Sequence, residues 1–369
     1  METKTLSDLI AIKSFDLFEN KEIINYLEKR FFSYAEEIVR IKNPDNAKEN
    51  LVIGINCKLK NTNAIILSGH IDTVVADEKA WFTNPYEATE KDGKIYGLGA
   101  IDMKCFFASI IDNIEKIKNI NVPIIVCITC DEETKVKGIE EIIKFLNKRN
   151  VESICTIIGE PTSLEVHTIS RSANTCRVQI SGKSCHSSNP KNGVNAIYIA
   201  SRFSLFLEKL SGKFKNVTTS AGVISGGEKF NIVAGNAYLD FDLRCPSIKD
   251  ATKIDNLIEK EISKLEKTYS GAKIEYSRQL ALPPLEKHNS KIINSLIKKF
   301  NLKEGVFIAA AEAGIIQSNL NCPTFIFGAG DLSLAHKPNE YLDLKNYEKY
   351  NQLLISMLNE LAKTQKSSL

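Results

Sequence analysis

The first 171 residues alternate between two patterns of apolar and polar positions. Short, continuous apolar runs are typical of strands buried on both faces, and a period of about 3.6 residues is typical of helices that cover such a sheet. Continuous runs occur at 51–57, 64–69, 123–130 and 154–158, and the helical period occurs at 20–30, 103–118 and 137–149. This alternation predicts an α/β domain with a largely parallel sheet.

The pattern changes near residue 172. Residues 174–183 alternate polar and apolar positions, as expected for a strand with one face in solvent. The segments that follow are interpreted as a helix, two strands and a second helix, at 194–210, 217–224, 231–245 and 250–267. They predict a compact βαββαβ-like block built on an antiparallel sheet.

The α/β pattern returns near residue 282. The predicted elements are a helix, two strands and a final helix, at 288–300, 305–310, 323–328 and from 343. We therefore predict a discontinuous catalytic domain of residues 1–171 and 282–369, interrupted by an α+β lid or dimerisation domain of residues 172–281.

The composition of the 369 residues is that of a globular protein, with 43% hydrophobic and 25% charged residues. The 48 basic and 45 acidic side chains give a net charge of +3, so nothing indicates nucleic acid or a membrane surface as a partner. No apolar stretch has the length or position of a signal peptide or a membrane span. We therefore expect a cytoplasmic protein.

Nine cysteines are scattered along the chain without the spacing of a disulfide framework, which fits reduced thiols. Cys127 and Cys130 are close enough in sequence to suggest a pair of metal ligands. They lie on a predicted strand, however, where residues three apart point to opposite faces and cannot bind one ion.

Polar residues follow the ends of the predicted buried strands. His70 and Asp72 end one strand with their side chains on the same side, so that Asp72 can orient the imidazole. The residues in comparable places are Asp102, Asp131, Glu132, Glu133, Glu160 and His336. Each has an ordinary alternative, such as a helix cap for Asp102 or a solvated turn for the glutamates. Their shared position where strands end and loops begin nevertheless indicates one site.

Two histidines and three carboxylates suit zinc in a site with nitrogen and oxygen ligands. The predicted ligands are His70, Asp102, Glu133, Glu160 and His336. If Asp102 bridges, they can hold two divalent ions about 3.5–4 Å apart. Glu132 then remains close by without a metal and is the natural general base. Zn²⁺ is the preferred ion, and Co²⁺ or Mn²⁺ would accept the same ligands.

These residues lie in segments that resemble the zinc-dependent aminoacylase and deacetylase family of two-metal hydrolases. The similar segments are SGHIDTV, WFTNPYEATEKDGKIYGLGAIDMKCFFA, CDEET, IIGEPTSL, SGKSCHSSNPKNGVNAI, NIVAGNAYLDFDLR, AEAG and GAGDLSLAHKPNEYL. The resemblance implies that His70, Asp102 and Glu160 hold one ion. It implies that Asp102, Glu133 and His336 hold the other.

The resemblance also assigns roles outside the ligand set. Asp72 would orient His70, and Glu132 would be the base and proton shuttle. The peptide bond between Asp102 and Met103 would be cis. Residues implied to contact the substrate are Asn231, Arg244, Glu312 and Gly314.

His186 lies in the lid segment, where a surface histidine in a turn is the ordinary alternative. The resemblance implies that His186 reaches the active site of a partner subunit and binds the reacting carbonyl oxygen. It therefore also implies a homodimer formed through the lid. Arg244 suits the substrate carboxylate because its guanidinium can bind both oxygens at once.

The implied reaction is hydrolysis of an N-acyl amino acid, namely removal of the acetyl group from N2-acetyl-L-ornithine in arginine biosynthesis. Desuccinylation of succinyl-diaminopimelate, or hydrolysis of another acyl-amino acid or a dipeptide, are alternatives with the same chemistry. A non-catalytic metal- or peptide-binding module is an alternative of another class, but it has no use for a spare acid at Glu132. The chain departs from the family pattern at Cys105, at Ala310 and Ala311, and at residues 170–172. The alanines bear on substrate selectivity.

Overall fold

The computed structural model describes residues 3–15, 19–45 and 47–366. The chain forms two compact units. Unit 1 comprises Met1–Ile169, Lys287–Phe307 and Ala311–Leu369, and unit 2 comprises Ser170–Glu286 and Ile308–Ala310. None of the described helices has the length and apolar character that a membrane span requires.

Unit 1 is built on an eight-stranded sheet. Numbered in chain order with the other strands of the protein, its members are β1 (Glu37–Lys42), β2 (Glu49–Ile55), β3 (Thr62–His70), β6 (Ile124–Thr129), β7 (Val151–Ile158), β8 (Val166–Ser170), β13 (Glu304–Phe307) and β14 (Thr324–Ile326). The strand order is β1-β2-β6-β3-β7-β14-β8-β13. The four central strands are parallel, and β1, β2 and β8 pair antiparallel beside them. The predicted α/β class with a largely parallel sheet is confirmed.

Helices cover this sheet with their apolar sides. They are α1 (Lys4–Ala11), α2 (Lys21–Phe31), α3 (Lys104–Asp112), α4 (Ile114–Lys118), α5 (Lys137–Lys148), α8 (Lys291–Lys299), α9 (Ala313–Leu320) and α10 (Leu344–Lys366). In α5, Ile139, Ile142 and Leu146 recur at helical spacing and are buried. All six residues of β6 are also buried, which is why this strand shows no alternation in the sequence.

The single helix predicted at 103–118 is two helices in the structure. Asn113 interrupts it between α3 and α4. The side-chain amide of Asn113 donates to the carbonyl oxygen of Ser109 at 3.0 Å. The backbone amide of Asn113 donates to the same oxygen at 3.2 Å, and the helix is interrupted because the φ of −108° and ψ of 15° of Asn113 depart from helical values.

A small three-stranded sheet also belongs to unit 1. Its strands are β4 (Thr89–Lys91), β5 (Lys94–Tyr96) and β15 (Tyr341–Asp343), in the order β15-β5-β4. The pairing of β15 with β5 joins segments that are far apart in sequence. It places the chain after His336 beside the chain that leads to Asp102.

Unit 2 is an antiparallel sheet with two helices. Its elements are β9 (Ala173–Ser181), α6 (Ala196–Ser211), β10 (Thr218–Gly226), β11 (Asn236–Arg244), α7 (Ile248–Thr268) and β12 (Lys273–Leu282), with the strand order β10-β11-β9-β12. Buried and partly exposed residues alternate along β9 and β11, as the sequence predicts. The strand predicted at 231–245 starts only at Asn236, because residues 227–235 form a loop with a single isolated bridge.

Candidate metal centre and active site

Three neighbouring parallel strands bring predicted ligands to one edge of the large sheet. His70 is the last residue of β3, Glu133 lies shortly after β6, and Glu160 lies shortly after β7. Because β3 pairs in parallel with both β6 and β7, the carboxyl ends of the three strands are adjacent. Nε2 of His70 lies 3.6 Å from Oε1 of Glu160.

Asp102 lies between the two predicted ligand histidines. Its Oδ1 is 3.0 Å from Nε2 of His70, and its Oδ2 is 3.2 Å from Nε2 of His336. Nε2 of His336 is also 2.8 Å from Oε1 of Glu133. A carboxylate that offers a separate oxygen to each of two imidazoles has the arrangement of a bridging ligand. The peptide bond between Asp102 and Met103 is cis.

The hydrogen bonds of His70 determine which ring nitrogen faces Asp102. Nδ1 is 2.9 Å from the backbone carbonyl oxygen of Asp72. Since a carbonyl oxygen only accepts, Nδ1 carries a proton and Nε2 faces Asp102. The carboxylate of Asp72, which the sequence predicts to orient this ring, has its Oδ1 3.6 Å from Nδ1. The same carboxylate also accepts the backbone amides of Glu132 and Glu133 at 3.3 and 3.1 Å.

A buried ion pair holds the start of the loop that carries Glu132 and Glu133. Asp131 has a left-handed φ of 68°, which is uncommon for residues other than glycine. Its carboxylate lies 2.7 Å from Nζ of Lys48 and accepts a hydrogen bond from the side-chain amide of Asn43. All three side chains are buried. The loop is therefore held at two places. Asp131 is held by its contact with Lys48, and the amides of Glu132 and Glu133 are bound by the carboxylate of Asp72.

Carboxylates outnumber imidazoles in this site. The carboxylates are those of Asp72, Asp102, Glu132, Glu133 and Glu160. Burial and neighbouring acids raise the pKa of Glu132 and Glu160 well above their usual range. Hydrogen bonds with Asp102 and Glu133 raise the pKa of His336 to about 10. Burial opposes ionisation of Asp102, but its hydrogen bonds with His336 and His70 lower its pKa overall.

This set of donor atoms fits divalent metal ions. Ligand atoms of His70, Asp102 and Glu133 lie within 4.8 Å of one another. Imidazole nitrogen and carboxylate oxygen are the donors that zinc, cobalt and manganese accept. Because an excess of buried negative charge is unfavourable unless cations balance it, the residues present favour ion binding over an empty acidic cluster.

Glu132 directly precedes Glu133 in the loop after β6. Its carboxyl is close enough to His70 and Glu133 for their charges to shift its pKa. A carboxyl in that position, with a raised pKa, has the properties of a group that accepts and returns a proton.

His186 lies exposed in unit 2. Its Nδ1 accepts the backbone amide of Ser188 at 3.2 Å and lies 2.7 Å from the Ser188 hydroxyl. Because a backbone N–H can only donate, the neutral imidazole carries its proton on Nε2. That nitrogen is therefore a donor, which is what binding a carbonyl oxygen requires.

The predicted substrate-binding residues have different surroundings. Asn231 is exposed in the loop before β11, and Arg244 ends that strand with its Nε 2.8 Å from Oδ2 of Asp242. Glu312 and Gly314 lie buried at the start of α9 in unit 1, with Glu312 only 1% exposed. Burial raises the pKa of Glu312 to about 7. The charges of His70 and Asp72 also act on the pKa of Glu312, so this carboxyl lies near the candidate metal ligands.

Two buried charged residues that support the site are not predicted from the sequence. Lys48 lies in a loop without a motif, and its role follows only from its contact with Asp131. Glu340 accepts backbone amides of the loop that carries Asp102. The sequence feature that could have indicated Glu340 is its place in the segment HKPNEYL, which belongs to the motif of His336.

Solved structures share the fold over nearly the whole chain. A tripeptidase from Staphylococcus aureus superposes with a TM-score of 0.79 at 22% identity, covering 98% of this chain and 97% of that chain. A dinuclear metal-binding peptidase of the M20 family from Bacillus subtilis superposes with a TM-score of 0.72 at 14% identity, covering 98% and 97%. At these identities the likeness establishes the fold.

Curated relatives are similar in sequence over most of the chain. The acetylornithine deacetylase of Buchnera aphidicola subsp. Acyrthosiphon pisum (strain Tuc7) is 31% identical over 355 residues, covering 92% of this chain and 91% of the relative. The acetylornithine deacetylase of Pasteurella multocida (strain Pm70) is 30% identical over 311 residues, covering 80% of each. The model of peptidase family M20/M25/M40 matches residues 66–360. The predicted class of metal-dependent amide hydrolases is therefore confirmed, and the chain belongs to peptidase family M20/M25/M40.

Proposed function

We propose that this protein hydrolyses N2-acetyl-L-ornithine to acetate and L-ornithine, a reaction of arginine biosynthesis. The observation that carries the hydrolytic part is the carboxylate of Asp102, whose two oxygens face His70 and His336. The choice of substrate is supported by relatives named acetylornithine deacetylase at 31% and 30% identity.

Five side chains would hold two divalent ions: His70, Asp102, Glu133, Glu160 and His336. Zn²⁺ is the proposed ion, with Co²⁺ and Mn²⁺ as alternatives. When bound, the ions supply Lewis acidity that lowers the pKa of a water and polarises the amide carbonyl. The chain contributes the spacing of the ligands and the neutralising charge.

Glu132 is the proposed general base and acid. It takes a proton from water as the water oxygen adds to the amide carbon. It then passes this proton to the amide nitrogen as the C–N bond breaks. The product therefore leaves as a neutral amine, which solvent protonates afterwards. Burial raises the pKa of this carboxyl, which favours its holding the proton between the two transfers.

Residues of unit 2 are proposed to bind the substrate. His186 would donate from Nε2 to the carbonyl oxygen as negative charge develops on it. Asn231 and Arg244 would bind the carboxylate of the amino acid, for which a guanidinium is well shaped. The tautomer of His186, set by the amide of Ser188, supports this assignment.

We further propose that the protein is a homodimer through unit 2. In support, β10 is an edge strand of the four-stranded sheet, and Val223 and Ile224 on it are exposed. Phe230, in the following loop, is fully exposed. Sedimentation equilibrium of the wild type and of an Ile224→Lys variant tests this, with a dimer expected for the first and a monomer for the second. A wild-type monomer at all concentrations would contradict it.

The test of the function is acetate release from N2-acetyl-L-ornithine by protein loaded with Zn²⁺ or Co²⁺. N-succinyl-diaminopimelate, a tripeptide and a chelator-treated sample run in parallel. We expect metal-dependent release of acetate. Turnover of the succinylated substrate or the tripeptide alone would retain the hydrolytic proposal and replace the substrate.

A further inference from the structure

We propose that Glu340 is a positioning residue that fixes the Asp102 loop for ion binding, an inference that rests on the proposed function. Glu340 lies four positions after His336 and directly before β15. It is only 1% exposed. Because a buried carboxylate is unfavourable unless it is hydrogen-bonded or paired, its partners indicate what it does.

The carboxylate of Glu340 binds the backbone of a single loop. Oε1 accepts the amides of Ile101 at 2.8 Å and of Asp102 at 3.3 Å, and Oε2 accepts the amide of Gly99 at 3.0 Å. The backbone oxygen of Glu340 accepts the amide of Gly97 at 3.1 Å. These contacts extend from the end of β5 to the proposed bridging ligand.

The loop is tightly enclosed where Glu340 binds it. Gly99 has a φ of 77°, and a Cβ there would lie 2.8 Å from a side-chain carbon of Thr73 and 3.0 Å from one of Lys104. Backbone that follows neither a helix nor a strand leaves amide groups that need acceptors. Glu340 supplies acceptors for three of them, so it determines the path of the loop.

This path matters because Asp102 has to present one oxygen to His70 and the other to His336. Metal and catalytic centres require their groups to be held within about 0.5 Å of the productive geometry. Glu340 binds the amide of Asp102 itself and belongs to the segment that carries His336. One side chain therefore links the positions of two proposed ligands. Glu340 is not itself a proposed ligand, since both of its oxygens accept backbone amides.

A merely structural role and a positioning role predict different results. If Glu340 only stabilises the fold, its replacement lowers the Tm, while molecules that remain folded bind metal as before. If it positions Asp102, folded molecules bind metal more weakly. They also show an altered absorption spectrum of bound Co²⁺, because the spectrum reports ligand geometry.

The experiment titrates metal-free wild type, Glu340→Gln and Glu340→Ala with Zn²⁺ and Co²⁺, at a temperature where circular dichroism shows each protein folded. Glu340→Gln keeps the shape of the side chain but turns one acceptor into a donor, and Glu340→Ala removes all three hydrogen bonds. Loss of an outer partner of a metal ligand typically weakens metal binding by about 10- to 100-fold, which is the expected effect. Leu358→Ala, at a buried position of α10, is the control for lost stability alone.

Unchanged metal affinity and an unchanged Co²⁺ spectrum in folded Glu340→Gln would overturn the proposal, as would an equal loss in Leu358→Ala. Neither measurement needs turnover. Tight binding of two ions without acetate release contradicts the proposed substrate and leaves the comparison of Glu340 variants valid. A wild type that binds no ions contradicts both proposals.

Discussion

The predicted functional residues of unit 1 and unit 2 differ in how the protein holds them. In unit 1, His70 and Asp102 are buried and in contact with each other, and the more exposed His336 is held by the carboxylates of Asp102 and Glu133. In unit 2, His186 and Asn231 are exposed. Unit 1 thus holds its candidate metal ligands in fixed positions, whereas unit 2 presents these two candidate substrate-binding residues to solvent. Substitutions in the first group should change metal binding, and those in the second should change turnover alone.

The largest effect is expected at Asp102. Asp102→Ala removes the carboxylate that faces both histidines, so metal affinity should fall by more than the 10- to 100-fold typical of an outer partner. Amide hydrolysis should fall to background, as it should when a chelator removes the ions from the wild type. Metal analysis after dialysis, with parallel assays, checks this. Two retained ions would show that Asp102 is not a bridging ligand.

Glu132 separates catalysis from ion binding within unit 1. Glu132→Gln removes the proposed proton shuttle and no ligand, so kcat should fall about 10²- to 10⁴-fold with two ions still bound. Metal analysis and steady-state kinetics on one preparation measure both quantities. Glu152→Gln, at an exposed position of β7, is the matched control. Near-normal turnover of Glu132→Gln would remove Glu132 from the mechanism.

His186 tests the expectation that substitutions in unit 2 change turnover without changing metal binding. His186→Ala should leave the metal content unchanged and lower kcat about 10²- to 10³-fold, the usual cost of losing one donor to a developing oxyanion. His288 is another exposed histidine, and His288→Ala should change neither the metal content nor kcat. If His186→Ala loses metal, His186 contributes to metal binding, and the proposed difference between the roles of the two units is wrong.

The smallest effect concerns the stability of unit 2. Arg177 binds Asp240 through two bonds of 2.6 and 2.7 Å, and the hydrogen bond with Arg177 lowers the pKa of Asp240. A lowered carboxyl pKa stabilises the fold above the unfolded value, about 3.9, and this contribution is lost as pH falls through the folded pKa. Arg177→Gln should lower the stability only slightly at pH 7, since the pair is partly exposed to solvent.

Urea unfolding of the wild type and Arg177→Gln between pH 7 and pH 3 measures that difference. It should be constant down to about pH 4 and shrink below it. A difference that grows on acidification would contradict the assigned sign. Metal content and turnover should be the same in both proteins.

The sequence is sufficient for the buried strands and for the residue types at their ends. β6 is a continuous apolar run, and the acids after it stand out for that reason. It is not sufficient for β4, β5 and β15, because strands of three residues are too short to show a period. It also misses the interruption at Asn113, where φ and ψ depart from helical values.

For the site, the sequence predicts which side chains are present but not every group with which they form hydrogen bonds or ion pairs. Asp72 follows the end of β3, where alternation along a strand no longer decides its direction, and its carboxylate binds the amides of Glu132 and Glu133. Lys48 and Glu340 carry no local pattern that marks a buried charge. Their roles depend on contacts with residues distant in sequence.

The strand order constrains how the chain can fold during its synthesis. β14 lies between β7 and β8 in the sheet, although all of unit 2 is synthesised before it. Until β14 emerges from the ribosome, the facing edges of β7 and β8 lack the strand that separates them, and unpaired edges invite wrong pairing. Contacts between distant segments also form slowly. The candidate acidic ligands are therefore synthesised before His336. His336 itself follows β14, so the second imidazole is added only after the last strand of the sheet has been made.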